Sequence, residues 1–113
     1  MFRYCAVDIE TSGLAEWCQV LEVALVAATD WHTPVAELPH LRFLVEHERI
    51  VGQPFALGMN ARLLDILGDP RQWTSHTVVK PDAAAYLVGA FLDEHWPTDK
   101  VTLASKGLRS ALW

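Results

Sequence analysis

The sequence predicts an α/β domain, and three observations carry that expectation. Three stretches rich in Val, Leu and Ala with strand patterning occupy the first half of the 113-residue chain. Two stretches of helical periodicity follow, and Lys-Val-Thr-Leu-Ala-Ser closes the order β-β-β-α-α-β. A length of 113 residues with no internal repeat, low-complexity run or linker is that of one domain spanning residues 1–113.

Residues 2–9 read as a first strand, with Phe2, Tyr4, Ala6 and Asp8 on one face and Arg3, Cys5, Val7 and Ile9 on the other. Both faces are largely apolar, as in a strand with neighbours on either side. Thr11-Ser12-Gly13 marks a turn. Residues 19–29 form a second strand, Asp-Trp-His-Thr-Pro a loop, and residues 38–47 a third strand. Connections this short make the three an antiparallel meander. From Pro54 to Leu67, the residues Phe55, Met59, Leu63, Ile66 and Leu67 recur at helical spacing, with Pro54 as a start and Gly68 as a stop. Residues 69–80 read as loop. Asp82 is placed to cap a second helix that runs to about His95, with Leu87, Val88, Phe91 and Leu92 as its apolar stripe. Pro97 breaks that helix, and residues 100–105 form a fourth strand.

Fourteen acidic residues against nine Lys and Arg give a net charge of −5, which excludes nucleic-acid binding through a broad basic surface. A local, metal-mediated contact with phosphate is not excluded. Cys5 and Cys18 are expected to be reduced and buried, as suits a cytosolic protein. Asp8 arrives too early for a signal-peptide core, and no apolar run reaches membrane-spanning length. A soluble, cytoplasmic protein without a membrane partner is the expectation.

The chemistry concentrates in residues 6–14, Ala-Val-Asp-Ile-Glu-Thr-Ser-Gly-Leu. Two carboxylates stabilise no strand, and burying them is costly unless something positive pairs with them. Asp8 and Glu10 stand two positions apart, so they project to the same side, about 7 Å apart along the chain. They lie at the strand's carboxyl end, where functional groups of open α/β sheets collect. Such hard oxygen ligands suit Mg²⁺ or Mn²⁺ and can help hold a metal pair that activates water for phosphodiester hydrolysis. Gly13 lets backbone come close to a ligand. The plainer alternative is a solvated pair of acids, since Asp-x-Glu alone is common on protein surfaces.

The longer string points further. Asp-Ile-Glu-Thr-Ser-Gly-Leu at 8–14, following an apolar strand, closely resembles the first motif of the DEDD 3′–5′ exonucleases. That family includes the proofreading subunit of DNA polymerase III, ribonuclease T and oligoribonuclease. Val-Leu-Glu-Val-Ala-Leu-Val is similar to the family's second strand, and residues 52–67 to the helix that follows its third. Val-Thr-Leu-Ala-Ser-Lys-Gly is similar to the strand leading to the second motif. The resemblance implies a ribonuclease H-like fold with the three-stranded meander, helices and a fourth strand. It implies Asp8 and Glu10 as catalytic metal ligands for Mg²⁺ or Mn²⁺, and Thr11, Gly13 and Leu14 as substrate contacts. The partner is then a single-stranded DNA or RNA 3′ end, released as nucleoside monophosphates. Glu22 is open to two readings, an approach to the site or a hydrogen-bonded structural role.

The family uses four carboxylates and, in its DEDDh branch, a histidine general base. No acid follows Asp99 and no histidine follows His95. The expectation is therefore the N-terminal part of such a domain, truncated at its C-terminal end, with weak single-metal binding. His32, His40, His47, His76 and His95 match no metal or catalytic spacing. Asp93 and Glu94 read as a solvated helix face, and Arg71 and Arg109 as isolated surface charges. The alternative function is a catalytically incomplete remnant or interaction module on the same scaffold. A third reading is an unrelated α/β protein with ordinary surface acids.

Overall fold

The computed structural model describes residues 2–30, 32–98 and 100–105. Alternating side chains along the first three strands set the architecture. β1 (Tyr4–Thr11), β2 (Val20–Ala28) and β3 (His40–Val45) form the expected antiparallel meander. Two short strands extend it, β4 (Val78–Val79) parallel to β3 and β5 (Leu103–Ala104) parallel to β1. The sheet order is β4-β3-β2-β1-β5, so β1 has a partner on each side. The result is an α/β domain with a mixed five-stranded sheet.

Register shows which residues share a face. Cys5 stands opposite Ala27, Val7 opposite Leu25, and Val23 opposite Phe43. These residues and Val45 are buried with Phe91 of the long helix α3 (Pro81–His95) and with Trp96. Full burial of a side chain such as Phe43 contributes about 1.5–3 kcal/mol. The Trp96 indole N–H donates to the Phe2 carbonyl at 3.2 Å, satisfying the polar atom that the ring carries inward. A second cluster, Leu21, Leu44, Ile66 and Leu67, joins β2 and β3 to the helix at Ala61–Leu67.

Several expectations need correction. The helix expected over 54–67 is two, α1 (Pro54–Met59) and α2 (Ala61–Leu67), which meet at Asn60. Asn60 leaves helical geometry at φ −105° and ψ 23°. Its side-chain amide donates to the Ala56 carbonyl, competing with the backbone ladder, and also reaches Thr11. Residues 69–80 are not simple loop, since they hold a 3-10 turn at Pro70–Ser75 and β4. Asp69 caps that turn by accepting from the Arg71 N–H, and the Trp73 indole donates to the Ile66 carbonyl at 2.8 Å. Asp82 does not cap α3, because Pro81 already occupies the first turn and Lys80 the cap position. Asp82 sits inside that turn, accepts from the Ala83 N–H and places negative charge at the helix start. The first strand runs two residues later than expected, so both acids of interest fall inside it.

Cys5 is buried and Cys18 half-buried, and both are free thiols. Burial pushes the Cys5 thiol up from its ordinary value. Among the described residues, no helix is long and apolar enough to cross a membrane. Asp99, Arg109 and the Lys-Gly end of the stretch likened to a second motif lie outside the described residues.

Candidate functional site

The pleat of β1 sends Asp8 and Glu10 to the face away from α3. Asp8 stands opposite Ala24 and Glu10 directly opposite Glu22, one strand over. On the far side of β2, Ala24 faces Arg42 and Glu22 faces Leu44. Two rows therefore cross this face, Asp8–Ala24–Arg42 and Glu10–Glu22–Leu44. Ala24, whose side chain is a single methyl group, stands between the acid and the arginine.

Electrostatics mark the cluster as short of positive charge on its β1 side. Partial burial pushes the Glu10 carboxyl above the usual carboxylate value, and the nearby negative charges of Asp8 and Glu22 push it further. Asp8 itself is exposed. Glu22 is buried, and its Oε2 accepts from the Arg42 Nε and Nη2 groups at 3.0 and 2.9 Å. Of the two readings open for Glu22, the structure shows the hydrogen-bonded one, in a residue that also adjoins the acid pair. Among the described residues, no three or more His, Cys, Asp and Glu side chains gather to hold a metal ion. Asp8 and Glu10 remain as the hard oxygen donors, a set that fits Mg²⁺, which is commonly held by one or two carboxylates together with substrate phosphate oxygens.

The segment after Glu10 is clamped from the far side of the chain. A register irregularity between Glu10 and Thr11 turns it off the sheet. The Thr11 hydroxyl donates to the Gly13 carbonyl at 2.8 Å, and the Thr11 carbonyl accepts from the Asn60 amide at 3.1 Å. Buried Ser12 donates to the Val51 carbonyl and accepts from the Gln19 N–H, while its own carbonyl accepts from the Gln53 N–H. Gln53, just before α1, accepts the Leu14 N–H on its side-chain oxygen at 2.8 Å. Gly13 has φ +153°, and a Cβ there would meet Gln53 Oε1 at 2.5 Å and Cys18 Sγ at 2.6 Å. Close approach of protein to protein explains this glycine; the expected approach of a ligand is a separate matter. Leu14 is left exposed at the surface.

Of the residues singled out from sequence, Asp8 and Glu10 share a face, and Thr11, Gly13 and Leu14 form the adjoining clamped turn. His40 lies at the start of β3, and its Nδ1 is 2.9 Å from the Leu38 carbonyl. The His47 Nε2 atom donates to the Val20 carbonyl at 2.7 Å, and His95 packs between Phe2 and Phe91. Sequence reading passed over Arg42, Gln53 and Asn60. Arg42 carries a signal in principle, since an alternating strand placed beside the second one sets it across Ala24 from Asp8. Gln53 and Asn60 act through contacts 39 and 49 residues away, which no local pattern encodes.

Comparison of the chain with protein-family models and with curated proteins found no match.

Proposed function

We propose that this chain is a metal-dependent 3′–5′ exonuclease domain of ribonuclease H-like, DEDD type, acting on single-stranded nucleic acid. The observation that carries the reading is the pair Asp8 and Glu10, side by side on one sheet face, with Glu10 held above its usual pKa by partial burial and then by the negative charges of Asp8 and Glu22. A site whose carboxylates repel one another gains from a cation, and these are oxygen donors of the kind that Mg²⁺ and Mn²⁺ take. The meander with a further strand parallel to β1 supports the fold assignment, and the Asp-Ile-Glu-Thr-Ser-Gly-Leu string supports the family.

In this reading Asp8 and Glu10 hold Mg²⁺ or Mn²⁺, which when bound lowers the pKa of water and polarises the phosphate. The chain's own residues do the rest. Asp8 and Glu10 would hold the cation at the strand end through their carboxylate oxygens. Thr11, Gly13 and Leu14 form a rigid turn, locked by Gln53 and Asn60, against which a terminal nucleotide rests. Exposed Leu14 offers apolar surface to the last base. A soluble, cytoplasmic setting accords with the two free thiols.

The test is digestion of 5′-labelled single-stranded DNA and RNA in Mg²⁺ or Mn²⁺, read as a ladder shortening from the 3′ end. Full activity in Asp8→Asn sinks the reading. One observation favours a second function on the same scaffold, binding without turnover: Glu22, the third carboxylate beside the pair, is already bonded to Arg42. Calorimetric titration with Mn²⁺ and an oligonucleotide separates the two, since tight binding of two ions counts against the incomplete form.

A further inference from the structure

A groove of about 460 Å³ begins at Glu22 and runs between β3 and the segments that follow α1. Its polar lining includes Glu22, Arg42, Asn60, Arg62, His76 and Thr77. The charge there runs against the rest of the molecule. The chain carries −5 overall, yet the groove holds two arginines against one carboxylate, and that carboxylate is already bonded to Arg42. Arg62 is exposed, with no ion-pair or hydrogen-bond partner among the described residues. One wall is continuous with the candidate site, because Glu22 stands directly opposite Glu10 and Arg42 lies across Ala24 from Asp8.

We infer that this groove is a subsite for backbone phosphates of the nucleic-acid strand whose end lies at Asp8 and Glu10; the inference rests on the nuclease reading. Arg42 is built for that role. Glu22 holds its Nε and Nη2 groups on one oxygen, which fixes the guanidinium plane while other N–H groups stay available. The Arg42 side chain is 69% exposed although its partner is 10% exposed, so the charge is anchored from below and presented to solvent. A buried glutamate opposite Glu10 adds repulsion to an acidic site, and orienting Arg42 gives it a function. Arg62 continues the row of donors, and phosphate oxygens are the acceptors that arginine forks match best. A strand laid here has its end phosphate over the acids and its next phosphates over the arginines.

The experiment uses the Asp8→Asn chain, so that hydrolysis does not consume the probe. Fluorescence anisotropy follows binding of a labelled single-stranded oligonucleotide over a range of salt concentrations. Adding Arg62→Ala or Arg42→Lys is expected to weaken binding roughly tenfold. Each is expected to lower the slope of log affinity against log salt, by about one for the lost charge in Arg62→Ala. The Arg42→Lys change keeps charge and loses the fork, so its slope changes less than its affinity. Glu22→Gln is expected to weaken binding despite removing a negative charge, because Arg42 loses its anchor. Unchanged affinity and slope in Arg62→Ala and Arg42→Lys overturn the inference, as does failure of the parent chain to bind the strand. Strand digestion by the wild-type chain with arginine-independent binding sinks the groove and spares the nuclease. Arginine-dependent binding without any digestion does the reverse.

Discussion

The two faces of the sheet are built from the same three strands and differ in almost every physical respect. Toward α3, Cys5, Val7, Val23, Leu25, Phe43 and Val45 close into an apolar layer with Phe91 and Trp96. Toward the other side the same strands present Asp8, Glu10, Glu22 and Arg42 around the small Ala24, with an apolar cluster where α2 meets Leu44. Among the described residues, one face is packed against its own chain, while the other carries charges of which Glu22 and Arg42 form an ion pair. Stability thus resides on one side and the candidate chemistry on the other, and a period of two in the sequence separates them.

The largest expected effect tests the closed face. Phe43→Ala removes a fully buried ring and is expected to cost about 3–5 kcal/mol, read by denaturant unfolding. Next is the open face, where Asp8→Asn is expected to lower strand hydrolysis on the order of 10²–10³-fold. Its melting temperature should stay near that of the wild type, because Asp8 is exposed and supports no packing. An unfolded Asp8→Asn protein would erase the division between faces.

Arg42→Ala probes the border between them. It strands the buried Glu22 carboxylate without its partner, and an expected loss of about 1–3 kcal/mol would show that this ion pair also steadies the sheet. Glu10→Gln gives the smallest shift and a diagnostic sign. The raised pKa of Glu10 means that the folded chain holds this proton more tightly than the unfolded one. Ionised Glu10 therefore costs stability above that pKa, and the cost disappears as pH falls below the ordinary carboxylate value of about 4.3. The glutamine variant should melt slightly higher than wild type at neutral pH and equally at low pH. Adding Mg²⁺ should stabilise the wild type and leave Glu10→Gln nearly unmoved.

Most of the fold was legible because its signals are local. Alternation in β1 to β3 and the stripe of Leu87, Val88, Phe91 and Leu92 on α3 need only a short window of sequence to read. The break at Asn60 was not legible, since Phe55, Met59 and Leu63 keep helical spacing across it while the Asn60 side chain is drawn away to Thr11. β4 is two residues long and acquires strand geometry only from β3, with which it pairs, whereas β5 falls within the strand read from sequence at 100–105. At the site, Asp8 and Glu10 announced themselves as acids in an apolar strand. Glu22 looked alike whether structural or functional, because its meaning depends on Arg42, twenty residues on.

The clamp on residues 11–14 also orders events in time. Ser12 bonds Val51, Leu14 bonds Gln53 and Thr11 bonds Asn60, across separations of 39, 39 and 49 residues. Closing loops of that length is an entropic cost met only once the intervening chain has collapsed. During synthesis the acid-bearing strand therefore emerges well before the residues that lock the turn behind it. The full set of bonds that holds the turn is complete only once Gln53 and Asn60, at either end of α1, are in place.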